Sequence, residues 1–225
     1  MEVPPQAAVY LCRRCGLAFE AGPDALIRLQ PLIAGITTEL AYPALVRYLA
    51  VWRFEAKVEV RGKESRSGAP PEHVWESVRR AAAPAEPVLY VPAFAFGRLV
   101  VQQLGAGLVQ EQPRLELTEG VPLEGPHLSV LSGDTSSAGD AADASEGPGF
   151  GTVSPVRLAK ADAEVVAHYV YLAVENRGTI DLRRIDYDLS LGAAHLIFIP
   201  AVYDRRHVRD SGWRFLLREF DRLVA

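Results

Sequence analysis

Chemistry in this chain is concentrated first in YLCRRCGLAFE, Tyr10 to Glu20. Cys12 and Cys15 stand three positions apart, a spacing at which two thiolates can share one tetrahedral metal. The glycine that follows lets the backbone turn so that amides point at sulfur. The segment reads as a zinc knuckle, with Cys12 and Cys15 as candidate zinc ligands. A thioredoxin-type pair would open a long helix, but LAFEAGP is too short and too near Pro23. A haem attachment site would need histidine directly after the second cysteine, where Gly16 stands.

A knuckle supplies two ligands and structural zinc takes four. Three sources of the missing half stay open. Two chains could each donate Cys12 and Cys15. Histidines could complete the site, the candidates being His73, His127, His168, His195 and His207, none at ligand spacing with another. Or the pair is what remains of a ribbon whose first knuckle is lost, in which case MEVPPQAAV reads as the linker after it.

Outside the knuckle, the densest polar cluster is YDRRHVRD. Arg205, Arg206, His207 and Arg209 there could hold a phosphate or an acidic partner segment. Arg13 and Arg14 sit at the knuckle tip. Trp75 lies in a polar context and is the aromatic expected to anchor a partner, whereas Trp52 and Trp213 fall on apolar faces and are expected in the core. Asp186 and Asp188 share one strand face beside Arg183 and Arg184, which reads as a charge-balanced, solvated surface. Gly105 and Gly107 fall within a predicted helix and lack the third glycine of a nucleotide turn. The sequence holds no G-x-S-x-G, P-loop or H-E-x-x-H motif. His168 is expected to pack in the core.

The elements that must carry these residues follow from periodicity. Residues 52–61, WRFEAKVEVR, alternate apolar and charged side chains, the pattern of an antiparallel strand with one wet face. AVYL and LAFEA read as short strands flanking the knuckle. GKESRSGAPPEH reads as a loop and HVWESVRRAAA as a short helix. VLYVPAFAF reads as a buried strand placed at an edge or bulge by Pro92. GRLVVQQLGAGLVQEQ is expected to be helical, and RLELTEG a short strand. VSPVRLAKADAEVVAHYVYLAVENRG is expected to turn from strand to helix, with Val165, Tyr169 and Leu172 on its apolar stripe and Gly178 as C-cap. RRIDYDLSLG and AHLIFIPAVYD read as two further strands, and WRFLLREFDRLVA as a C-terminal helix. These elements predict an α+β fold with a mainly antiparallel sheet, two to three helices and a small zinc-ribbon-like N-terminal β appendage. The expected division is 1–22 for the appendage and 23–225 for the core domain. Residues 132–149, acidic and of low complexity, read as a flexible loop.

The order of segments resembles poorly characterised bacterial proteins in which an N-terminal zinc ribbon precedes an α+β domain. The matching stretches are YLCRRCGLAFE, YLAVWRFEAKVEV, VLYVPAF, SPVRLAKADAE and LIFIPAVYD. The resemblance implies the fold and the ribbon but no reaction, and the absent first knuckle is the point of departure.

Composition narrows the function classes. A net charge of -4 argues against a general nucleic-acid binder. Two cysteines in one pair do not make a disulfide framework, so a reducing, cytoplasmic compartment is expected. The N-terminal residues lack the basic and apolar regions of a signal peptide. Pro87 to Gln110, the most apolar stretch, is interrupted by Pro92 and Arg98 and is not expected to span a membrane. The resulting expectation is a non-enzymatic interaction or assembly protein that recognises a protein partner through its surface, with homo-oligomers allowed. The alternatives are a nucleic-acid-associated zinc-ribbon protein and an enzyme whose site is not visible in sequence.

Overall fold

Two strands dominate the structure because two stretches of the chain keep strand character for some twenty residues each. The computed structural model describes residues 7–12, 16–22, 24–37, 46–67, 73–94, 97, 100–122, 153–178, 182–203 and 213–221. Strand β1 (Val9–Cys12), β2 (Leu17–Ala21) and β3 (Leu26–Leu29) form an antiparallel three-stranded sheet in that order. This small sheet runs on past the expected boundary at residue 22. Strands β4 (Leu32–Ala34), β5 (Val46–Ser65), β6 (Val88–Pro92), β7 (Leu117–Glu119), β8 (Leu182–Tyr203) and β9 (Trp213–Phe215) build the main sheet. Its order is β6-β5-β8-β4-β7, with β9 added on β8. Of the strand pairings among the described residues, only β4–β8 is parallel. The helices are α1 (Val74–Ala82), α2 (Ala106–Glu111), α3 (Lys160–Gly178) and the short α4 (Arg218–Asp221). The fold class is therefore α+β, with mostly antiparallel sheets.

Strand β5 extends beyond residues 52–61 in both directions and also takes in GKES, expected as loop. RRIDYDLSLG and AHLIFIPAVYD are one strand rather than two. The join is an irregularity: Leu191 and Ala194 of β8 face Ala56 and Phe54 of β5. One extra residue of β8 is taken up there, so the pairing continues without a break. The expected C-terminal helix is also corrected. Trp213–Phe215 is strand β9 on the edge of β8, and among the described residues of this segment the helix is Arg218–Asp221. Phe215 is fully buried and Trp213 packs edge-on to Phe94 and Tyr203, so tertiary contacts override the helical stripe.

The core lies where β5, β6 and β8 meet α3. Trp52, Phe54, Leu89, Phe198 and Ile199 are buried there, and the Trp52 indole N–H donates to Leu158 O at 2.9 Å. Pro92 ends the edge strand β6, where a missing N–H breaks no inner ladder. At the other end of β6, the Gln112 side chain acts as a stand-in strand: Val88 N–H donates to its Oε1 at 2.9 Å and its Nε2 donates to Val88 O at 2.8 Å. A π-helical segment (Val100–Gly105) runs into α2. A Cβ on Gly105 would stand 3.0 Å from Tyr90 O and 3.1 Å from Val170 Cγ2, so only glycine lets this segment approach β6 and α3 so closely. The small sheet is tied to the main body by Glu20. Its buried carboxylate accepts the N–H of Lys160 at 2.7 Å, capping the first turn of α3 where a negative charge is favoured.

Candidate functional site

The seam between α3 and the outer half of β8 gathers the features that a binding surface needs. The main chain fixes it in two steps. First, α3 packs inward through Ala163, Ala167, Val170, Tyr171 and Val174. The small side chains at residues 163 and 167 let the helix lie close to the sheet. This rotates Val165 and Tyr169, expected on the core stripe, outward to 61% exposure each. The helix is apolar on most of its circumference, so its sequence does not choose the buried face. Second, β4 and β9 pair with β8 only from Ile197 onward. Along Leu182–Leu191, β8 has β5 on one side and no paired strand on the other among the described residues.

Two open grooves line this seam. One, of about 480 Å³, is bounded by Gln102 and Gln103 from the π segment, Asn176 and Arg177 from the end of α3, and Arg183 and Arg184 from β8. Its apolar floor includes Tyr169 and Ile185, and no carboxylate lines it. Arg183 and Arg184 are exposed and form no ion pair among the described residues. Arg177 is held in place by donating to Gln103 O at 2.8 Å and to Gln110 Oε1 at 2.7 Å, and burial lowers its pKa. The other groove, of about 500 Å³, runs between Val165 and His168 of α3 and Leu189 and Leu191 of β8. His168 is exposed, not packed in the core, and its Nδ1 lies 3.1 Å from the Tyr187 hydroxyl. Neither lining contains serine or cysteine. The two linings offer apolar contact, and the first adds the positive charge of Arg177, Arg183 and Arg184.

Beneath the seam is a buried ionic knot that sequence reasoning missed. Glu175 is fully buried, and its Oε2 accepts from Lys63 Nζ at 2.7 Å. Its Oε1 accepts the backbone N–H of Trp75 at 3.0 Å, an orphan donor in the first turn of α1. His73, the residue before α1, makes no side-chain cap. One carboxylate thus caps α1 and neutralises a lysine on β5. A register shift between Val60 and Gly62 reverses the alternation and turns Lys63 inward. The signal in the sequence was a lone acid on the buried stripe of α3, one turn after Tyr171. The Tyr171 hydroxyl is buried and has no hydrogen-bond partner among the described residues. Burial, then the Glu175 charge and Tyr187, push its pKa far up.

The residues singled out by the sequence fall elsewhere. Trp75 is corrected: it is 3% exposed and packs edge-on to Tyr171 at 5.6 Å, because Glu175 draws its backbone into the core. Trp52 is buried, as expected. Cys12 ends β1 half-buried, and Gly16, at φ +66°, donates its N–H to Cys12 O at 2.9 Å. That turn suits a knuckle. Among the described residues, however, no group of three or more histidine, cysteine, aspartate or glutamate side chains is placed to hold a metal. Cys15, Arg13, Arg14, Arg205, Arg206, His207, Arg209 and residues 132–149 lie outside the described residues. Asp186 and Asp188 share an exposed face of β8, and Asp188 pairs with Arg61.

Comparison of the chain with protein-family models, curated proteins and solved structures yields no match. Among the described residues, no helix is long and apolar enough to cross a membrane.

Proposed function

We propose that this chain is a non-enzymatic interaction protein that recognises a protein partner through the α3–β8 seam. The partner supplies an extended segment with apolar residues followed by carboxylates. The observation that carries this reading is the pairing of Val165 and Tyr169, both 61% exposed, with an unpaired strand edge. An incoming strand would bond to the β8 backbone while its side chains cover the two apolar residues of α3. Arg183 and Arg184 would meet its carboxylates, which the groove itself does not provide. The knuckle and the arginines of residues 205–209 belong to the same reading as further contact surface. Zinc at Cys12 and Cys15 would brace the small sheet.

The test uses the whole chain as bait in an extract of its source, beside a V165E/Y169A variant. A protein retained by the first and lost by the second is then purified and titrated directly by calorimetry. Loss of at least about tenfold in affinity is expected for Tyr169→Ala, the value of an aromatic anchor. Equal retention by both baits would count against the seam. Binding that instead fell steeply with salt and required RNA or DNA would favour the nucleic-acid reading.

A further inference from the structure

We propose that a second copy of this chain pairs with the outer edge of β3, joining two small sheets into one continuous six-stranded sheet. This surface is separate from the seam, and the proposal goes beyond the reading above.

The edge is built for pairing. β3 closes the small sheet, and no strand pairs with its outer side among the described residues. Leu26 is 63% exposed and Ile27 51%. β3 holds no proline or bulge, and its one charge within four residues is Arg28. The register is set by the turn before it. Gly22 N–H donates to Ala25 O at 2.9 Å, which makes these two residues a hydrogen-bonded pair. Antiparallel alternation then turns the backbone groups of Ile27 and Leu29 toward β2. Those of Leu26 and Arg28 point outward.

Self-pairing centred on Leu26 uses those outward groups. Leu26 meets its own copy across the axis, and Asp24, at the bend that leads into β3, lies opposite Arg28 of the other chain, twice by symmetry. Asp24 and Arg28 are exposed and form no ion pair among the described residues. Opposite charges thus stand at both ends of an apolar contact, in a pattern complementary only to itself in antiparallel sense.

The arrangement also separates two modes of dimer. In the order β1-β2-β3-β3-β2-β1, the two β1 strands lie five spacings apart, about 24 Å at the usual strand separation. Cys12 of both chains cannot then share one zinc, whose thiolates lie about 2.3 Å from the metal.

Sedimentation velocity of the full chain, with and without a chelator, tests this. The expected result is a dimer that the chelator leaves intact. Asp24→Arg or Arg28→Asp, each placing like charges opposite, weakens the dimer about tenfold or more. The double variant D24R/R28D recreates opposite pairs and restores it to near the original. Circular dichroism shows that each variant is folded. A monomer at every concentration, a dimer dissolved by the chelator, single variants that dimerise normally, or a double variant that stays weak would each overturn the proposal.

Discussion

The ribbon of β5 and β8 is one structure with two characters. In its inner half, Leu49, Ala50, Val51 and Trp52 follow one another at 1% exposure or less, facing Ile199, Phe198, Ile197 and Leu196. Both faces are covered. In its outer half, Val58 and Val60 alternate with exposed Lys57 and Glu59, facing Leu189 and Tyr187 beside exposed Ser190 and Asp188. Among the described residues one face is covered there, by α3, which is attached through the Tyr171–Tyr187 ring contact and the buried Lys63–Glu175 ion pair. The doubly covered core belongs to the inner half, and the seam proposed to take a partner belongs to the outer.

The tie between the two is the point at which to break this contrast. Lys63→Met leaves the Glu175 carboxylate buried without its countercharge and is expected to destabilise by about 3–5 kcal/mol, read as a shift in urea midpoint. The double variant K63M/E175Q removes both charges while an amide oxygen still caps Trp75 N–H, so it should recover much of that loss. If the single variant were nearly neutral, α3 would be held by packing alone.

Truncating matched leucines sharpens the same contrast. Leu196→Ala, in the doubly covered half, is expected to cost about 2–5 kcal/mol. Leu189→Ala, in the half-covered part, should lose roughly half as much or less, because its site is already partly open to water. Equal losses in thermal unfolding would erase the distinction.

Alkaline pH should act through the tyrosines at the junction. Tyr48, Tyr171 and Tyr187 all have raised pKa values, caused first by burial. Folding therefore keeps their protons while the unfolded chain begins to release them near pH 10. Their contribution is complete below that point and declines as pH rises further. Tyr171→Phe removes a buried, unpartnered hydroxyl, so it should stabilise by about 1 kcal/mol at neutral pH and flatten the alkaline decline. The smallest effect belongs to the wet face of the ribbon: Asp188→Asn should change stability by no more than about 0.5 kcal/mol, since its partner Arg61 is exposed.

From periodicity alone, β5, the apolar half of β8, the small strands β1 and β2 and the α+β class were legible, because burial on one face writes itself into every second residue. The charged face at Asp186 and Asp188 was legible for the same reason. Tertiary structure decided what local pattern leaves open. A helix apolar on most sides takes its buried face from its neighbours, so Val165 and Tyr169 came out and Glu175 went in. One register shift turned Lys63 toward that acid across 112 residues of chain. The edge of β8 claimed Trp213–Phe215 as strand because unpaired backbone groups outweigh a weak helical preference. The candidate seam rests on the first two of these choices, and all three are contacts between residues far apart in sequence, where local propensity carries no information.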